Sequence, residues 1–181
     1  LLISIAAGLR IRDIARWLQS DNLVRAMPNT PALVKAGVVG LYVPPALADE
    51  QAEAVDVLSA MGEIILVKSE EELDLLSTIS GSGPAYVFRF IEALEAAAVK
   101  RGFAPEGARQ MAILTVLGAA KLAVASSDSP TQLRVNVTSK GGTTAEALRV
   151  MEEHDFMTMM DEAVQAAYDR SQVLADELGR I

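Results

Sequence analysis

The sequence predicts an α/β fold that continues into an all-α part. As far as Val67, short branched apolar runs alternate with stretches of helical periodicity, which is the rhythm of strands and helices in a layered α/β domain. After Lys68 the strand signals stop and helical periodicity continues to the end of the chain. We therefore predict a partial Rossmann-like parallel sheet in residues 1–68 and an all-helical domain in residues 69–181.

The α/β part contains four candidate strands. In chain order its segments are the strand LLISI, the helix IRDIARWLQS, the strands NLVRAMP and VVGLYV, the helix DEQAEAVDVLSAMG and the strand EIILV. LLISI is typical of a central parallel strand that is covered on both faces, and the chain opens directly into it at Leu1. Because so few strand-to-helix cycles cannot close a doubly wound sheet, we expect the chain to be the later part of a longer one, with the Gly-rich cofactor turn upstream.

The helical part contains two segments that are apolar nearly all round. In chain order the helical segments are ELDLLSTI, PAYVFRFIEALEAAAVKRG, PEGARQMAILTVLGAAKLAVAS, SPTQLRVNV, TTAEALRVMEE and FMTMMDEAVQAAYDRSQVLADEL. Residues 107–125 carry only two charges, Arg109 and Lys121, so this helix should be covered on most sides. The rest of the helical part is too small to cover it. We therefore predict a homodimer, which could assemble further into a ring of dimers.

The composition excludes several classes of function. The chain has 181 residues, no cysteine, one histidine and a net charge of −8 with scattered Lys and Arg. These counts leave no thiolate or paired-histidine metal site, and we expect no metal. With 4% aromatic residues there is no stacking platform or basic stripe for nucleic acid. Lys121 interrupts the most apolar window, which we interpret as a buried helix rather than a membrane span, and we expect a cytoplasmic protein.

Three short segments follow strands or begin helices in a way that is typical of ligand sites. SIAAG, residues 4–8, lies where a parallel strand ends, and its small residues would let a flat ring approach the backbone, although the favoured interpretation of these five residues alone is that they pack a helix against the sheet. MPNTPA, residues 27–32, combines two stiffening prolines with polar atoms, and a rigid turn is the simpler interpretation. SGSGP, residues 80–84, is at least a capped helix start.

The segment VTSKGGTTAEAL, residues 137–148, is the more specific signal. Free N–H groups at a helix start bind anions, and paired glycines let the anion come close. Ser139, Thr143 and Thr144 add hydroxyl donors around Gly141 and Gly142. Because the segment lacks the spacing of a phosphate-binding loop, a small carboxylate is the better ligand. The alternative is a simple N-cap, for which one threonine and one glycine would suffice.

The segments SGSGPAYVF, SPTQLRVNVTSKGGTTAEAL and MPNTPALVKAG follow a pattern known from one enzyme family. The sequence resembles the pyrroline-5-carboxylate reductases over the whole chain. The resemblance implies an NAD(P)H-dependent oxidoreductase. Residues 1–68 would be the second half of the dinucleotide-binding domain, and residues 69–181 the substrate-binding and dimerisation domain. The implied reaction is hydride transfer from NADPH or NADH to the cyclic imine 1-pyrroline-5-carboxylate, which gives L-proline in the last step of proline biosynthesis.

The resemblance also implies roles for individual residues. The substrate-binding residues would be Asn136, Ser139, Gly141, Gly142, Thr143 and Thr144. The cofactor-binding residues would be Ile5, Ala6, Ala7, Asn29 and Pro31. Thr144 would lie by the ring nitrogen as the catalytic residue, either as a proton donor or only as a positioning group. Many members of the family have proline where Lys140 stands and an acid where Val135 stands, and neither change removes an implied contact.

Two alternatives remain open at this point. A β-hydroxyacid dehydrogenase would share the plan of a Rossmann domain followed by helices, but SGSGPAYVFRF lacks the lysine expected there. A non-catalytic helical dimerisation module would explain the apolar helices and leave the glycines and hydroxyls of VTSKGGTT without a purpose. The choice between NADPH and NADH is also open, because the residues that would read the 2′-phosphate lie upstream. For the same reason we expect the 181-residue chain alone to be inactive.

Overall fold

A computed structural model describes residues 1–179 of the chain. It divides into two compact units, and each is treated by itself. The first unit is Leu1–Ala85 together with the chain from Glu162 onward, and the second is Tyr86–Asp161. The predicted division between residues 68 and 69 stays a prediction.

The first unit is built on a four-stranded sheet whose strand order follows the chain. Its strands are β1 Leu2–Ser4, β2 Leu23–Met27, β3 Gly37–Tyr42 and β4 Gly62–Val67. β1 pairs with β2 in parallel and β3 with β4 in parallel, as predicted, but β2 and β3 are antiparallel. The prediction of a purely parallel sheet is therefore wrong at this pair. The connection, residues 28–36, is shorter than the dozen or so residues that a parallel crossover needs.

Helices cover the sheet of the first unit. They are α1 Ile11–Leu18, α2 Gln51–Ser59 and α3 Glu70–Leu76, with single 3₁₀ turns at Thr30–Val34 and Pro45–Glu50 and a π turn at Ser77–Gly81. The apolar core joins the two central strands to α2, through Val24, Ala26, Val39, Leu41, Ala54 and Leu58. This core fixes β1 and β2 side by side, so that the carboxyl ends of both strands lie at one edge of the sheet.

The predicted helical part is confirmed. Its helices are α4 Gly83–Lys100, α5 Pro105–Ala125, α6 Pro130–Asn136, α7 Thr143–Glu153 and α8 Phe156–Leu178. Among the helices of the described residues, α5 alone is long and apolar enough to cross a membrane by length and composition. α5 has 21 residues, but one helix of this kind is weak evidence for a membrane span, because a core helix of a soluble protein meets the same criterion.

Helix α5 is also not buried within this chain. Only Ala108 and Ala112 are buried along it, whereas Ile113, Leu114, Leu117 and Leu122 are each more than 40% exposed. An apolar helix exposed over most of its length needs another covering surface. The expectation of a buried helix is wrong for the chain taken alone.

Candidate functional site

The segment SIAAG forms the turn between β1 and α1. β1 ends at Ser4, whose hydroxyl accepts a hydrogen bond from the Ala6 N–H at 3.3 Å. Ile5 and Ala7 are exposed, and Ala6 is half-buried. Gly8 has a left-handed backbone with φ +74°, a conformation that side chains disfavour, and a Cβ there would lie 3.0 Å from Leu178 Cδ1. The predicted cofactor residues are thus presented at the carboxyl end of a parallel strand.

The segment MPNTPA is held rigidly by Asn29. The Asn29 Nδ2 donates to the Ser80 carbonyl at 2.9 Å, and the Val38 N–H donates to Asn29 Oδ1 at 3.0 Å. Pro31 is half-buried in the 3₁₀ turn that follows. The interpretation as a rigid turn is therefore confirmed. The proposed contacts of Asn29 and Pro31 with a cofactor stay predictions.

A cavity of about 360 Å³ lies at the edge of the sheet where β1 and β2 end. We call it the strand-end cavity. Its wall includes Ala7, Gly8, Arg25, Met27, Thr78 and Ser82. All three segments singled out in the sequence thus contribute to one cavity: SIAAG through Ala7 and Gly8, SGSGP through Ser82, and MPNTPA through Met27.

A buried ion-pair network borders this cavity, and the sequence analysis missed it. Arg25 lies on β2 with its side chain only 2% exposed. Its Nη1 lies 2.7 Å from Glu70 Oε1, and its Nη2 lies 3.2 Å from Asp74 Oδ1. The two carboxylates stand one turn apart on α3. The signal in the sequence is the single charge within the apolar run NLVRAMP, because a charge on a covered strand requires partners.

The network extends to the start of α1 and to α8. Arg10 pairs with Glu71 at 3.3 Å and donates to Gln172 Oε1 at 3.1 Å. The pKa of Glu71 is lowered, chiefly by a hydrogen bond from its own backbone N–H and then by the Ser69 hydroxyl, with smaller contributions from the charges of Arg10 and Arg25. α8 is thereby tied to the strand-bearing part of the first unit.

The segment TSKGGTT forms the approach to α7 in the second unit. Gly142 is the N-cap residue, and no side chain caps this helix. By contrast, Ser69 caps α3 and Ser129 caps α6. The three first N–H groups of α7, from Thr143 to Ala145, are therefore available to an anion in the described structure.

The two glycines of this segment differ in what a side chain would meet: at Gly141 the backbone conformation disfavours one, and at Gly142 the neighbouring atoms do. Gly141 has φ +70° and open space around a would-be Cβ. Gly142 has an ordinary backbone, but a Cβ there would collide with Ser139 Oγ. Ser139 is exposed and Thr144 is half-buried. The structure thus gathers Ser139, Gly141, Gly142, Thr143 and Thr144 at one helix start.

Asn136 lies at the end of α6, close before this segment. Its Nδ2 donates to Asp128 Oδ2 at 3.1 Å, and its Oδ1 accepts from Gln132 Nε2 at 2.8 Å. Its amide is therefore engaged locally, and its contact with a substrate stays a prediction. The predicted substrate residues belong to the second unit and the predicted cofactor residues to the first. Within residues 1–179 no three acidic, His or Cys side chains form a metal-binding group.

Comparison with known proteins decides the family. Residues 70–174 match the family model described as pyrroline-5-carboxylate reductase dimerisation. The chain belongs to the pyrroline-5-carboxylate reductase family. The reductase of Pseudomonas aeruginosa is 40% identical over 99% of this chain and 67% of its own length. That of Escherichia coli is 39% identical over 97% of this chain and 65% of its own. The chain thus spans about two thirds of the length of the curated relatives it matches.

Solved structures of reductases are also similar to this chain. The Coxiella burnetii pyrroline-5-carboxylate reductase aligns with a TM-score of 0.90 at 40% identity, covering 96% of this chain and 65% of its own. The Plasmodium falciparum pyrroline carboxylate reductase, solved with NADP bound, aligns with a TM-score of 0.87 at 34% identity, covering 97% of this chain and 71% of its own. The resemblance seen in the sequence is therefore confirmed at the level of the family.

Proposed function

We propose that this protein reduces 1-pyrroline-5-carboxylate to L-proline with NADPH or NADH, as the last step of proline biosynthesis. The observation that carries the proposal is the uncapped start of α7 beside two glycines and three hydroxyls, in a chain of the reductase family. An uncapped helix start suits a small carboxylate, which this substrate and product both carry.

The chemistry requires positioning more than acid–base groups. The nicotinamide delivers a hydride to the imine carbon, and the electrons of the C=N bond move to the nitrogen. When that nitrogen is already protonated, the product amine forms without a further proton. The protein then has to hold the two rings in contact and fix the carboxylate. This requirement fits a chain with a single histidine, His154, which is exposed at the end of α7.

The substrate site would be formed by the start of α7. The N–H groups of Thr143 and Thr144 would donate to the carboxylate, with the hydroxyl of Ser139 beside them and Asn136 close by. Gly141 and Gly142 would let the carboxylate approach the backbone. Thr144 would face the ring nitrogen. A threonine hydroxyl is a poor acid, so a positioning role fits its chemistry better than proton donation.

The nicotinamide would lie at the strand-end cavity. Ala7 lines this cavity, and Ile5 and Ala6 precede it in the same turn, so that these three residues would contact the ring where the parallel strand ends. Asn29 and Pro31 would shape its edge through the rigid turn that they form. The Plasmodium relative binds NADP, which supports a dinucleotide here.

We propose that the protein forms a homodimer and that these dimers assemble into a ring. We also propose that it acts in the cytoplasm. The support is the match to a dimerisation family together with the exposed apolar face of α5. A second copy would cover that face, and the same need could be met by a membrane. Sedimentation in buffer without detergent separates the two: a dimer supports our proposal, whereas solubility only in detergent contradicts it.

Turnover tests the proposed function. We would join this chain to the portion of the Pseudomonas aeruginosa reductase that lies outside the match, and follow the loss of NADPH absorbance with 1-pyrroline-5-carboxylate. We expect turnover that depends on the imine. The matched substrate control is 5-hydroxymethyl-1-pyrroline, in which a hydroxymethyl group replaces the carboxylate and the imine is unchanged; it should react much more slowly. A folded fusion that binds NADPH without turning over the imine would contradict the proposal.

A further inference from the structure

The turn between β1 and α1, residues 5–10, has little of its own to hold it in place. Within the described chain, residues 5–9 donate a single hydrogen bond, from Ala6 to the Ser4 hydroxyl, and its length of 3.3 Å makes it weak. Gly8 adds a left-handed backbone, and Ile5 is 58% exposed. A turn of this kind needs to be fixed from its two ends.

One end of the turn lies beside the backbone of Arg25, and the other end is hydrogen-bonded to Glu70, the ion-pair partner of Arg25. At the first end, Ser4 is the register partner of Arg25 in the parallel pair of β1 and β2. At the second end, the backbone N–H of Ile11, the first residue of α1, donates to Glu70 Oε1 at 2.9 Å. That same Oε1 lies 2.7 Å from Arg25 Nη1. α1 has no cap of its own from Arg10, so Glu70 caps it from another helix.

We infer that Glu70, oriented by Arg25, is a positioning residue that sets the shape of the turn at residues 5–10 and so the nicotinamide wall of the strand-end cavity. A carboxylate at a helix start is favoured by the helix dipole, and the guanidinium of Arg25 holds the Glu70 side chain directed at Ile11. The inference rests on the proposed function for its ligand. Its structural half concerns the turn alone.

Amide hydrogen exchange tests the structural half on the 181-residue chain. In Glu70→Ala, exchange at Ile11 should accelerate by about tenfold or more, because its N–H loses its acceptor. The weak protection of the Ala6 N–H should be lost as well if the turn loosens. Exchange at Val39 and Leu41 in the sheet core should stay unchanged. Glu70→Gln should be intermediate, since its amide oxygen still accepts from Ile11. Equal exchange in the wild type and Glu70→Ala would overturn the inference.

The matched control is Glu71→Ala. Glu71 is the next residue on α3; its side chain is exposed, forms an ion pair with Arg10 and accepts a hydrogen bond from the Ser69 hydroxyl. This variant should leave exchange in the turn within about twofold of the wild type, as is usual for a surface ion pair. If Glu71→Ala loosens the turn as much as Glu70→Ala, the general charge of α3 is responsible and the inference fails.

Saturation-transfer NMR with NADPH tests the functional half, because it detects weak binding through the nicotinamide protons. The wild type should transfer saturation to these protons, Glu70→Ala should lose most of the signal, and Glu71→Ala should retain it. Signal in the wild type and equally in Glu70→Ala would overturn the inference and leave the proposed function standing. No signal from the wild type would refute the proposed cofactor site, and the inference with it.

Discussion

Replacing Arg25 by methionine should destabilise the first unit strongly. The change leaves two largely buried carboxylates, Glu70 and Asp74, without their main partner; their side chains are 19% and 9% exposed. Breaking a buried ion pair from one side costs about 3–5 kcal/mol. Glu70 still accepts from the Ile11 N–H at 2.9 Å, so we expect the lower end, about 3 kcal/mol. For a chain of this size that lowers Tm by roughly 6–12 °C.

The assay is thermal and urea unfolding, with Arg149→Met as the matched control. Arg149 also pairs with two carboxylates, those of Glu146 and Glu153, but its side chain is 53% exposed. The same substitution there should cost less than about 1 kcal/mol, because surface ion pairs contribute little. If the two variants unfold at the same temperature, the buried network is worth no more than a surface pair. That result would refute our reasoning.

Four further predictions can be tested separately. Gly141→Ala should lower the free energy of unfolding by roughly 1–2 kcal/mol, because φ is +70° there, and urea unfolding measures it. Thr144→Val in the fusion should lower kcat by ~10²-fold if Thr144 donates a proton and by under ~10-fold if it only positions, whereas Thr131→Val, at the same position of α6, should leave kcat unchanged. Leu114→Glu, on the exposed face of α5, should convert the dimer to a monomer in sedimentation, and an unchanged dimer would move the interface elsewhere. The pKa of Glu71 lies below the usual 4.5 in the folded chain, chiefly because its carboxylate accepts hydrogen bonds from its own backbone N–H and from the Ser69 hydroxyl, so the charged carboxylate stabilises the fold above pH 4.5 and this effect is lost as the pH falls through the lowered pKa. Glu71→Gln should therefore be less stable than the wild type at neutral pH in urea unfolding, with a gap that narrows as the pH falls below 4.5.

The sequence alone predicted the order of strands and helices and the helix that starts at TSKGGTT, because both depend on residues that are close together in the chain. Period-2 and period-3.6 patterns identify strands and helices, and paired glycines before threonines mark an uncapped helix start. The direction of β3 was also within reach: residues 28–36 are too few for a parallel crossover, and a count of them would have predicted the antiparallel pair.

The buried network could not be assembled from the sequence. Arg25 is recognisable as a charge within an apolar strand, but its partners lie 45 and 49 residues further along the chain. The acidic run that contains them reads as the solvated first turn of a helix. Only the packing of α3 against β2 turns Glu70 and Asp74 inward. Likewise, the exposed apolar side chains of α5 predict that another surface covers this helix, but the sequence of the helix does not specify which surface that is.

The most direct test of the central claim is a titration of the chain with L-proline, followed through its backbone amides by NMR. We predict that the largest shift changes fall at Thr143, Thr144 and Ala145, where the carboxylate would accept the free N–H groups of α7. Pyrrolidine, the same ring without the carboxylate, should leave these amides unchanged. Equal changes with both ligands, or changes confined to other segments, would contradict a carboxylate site at the start of α7.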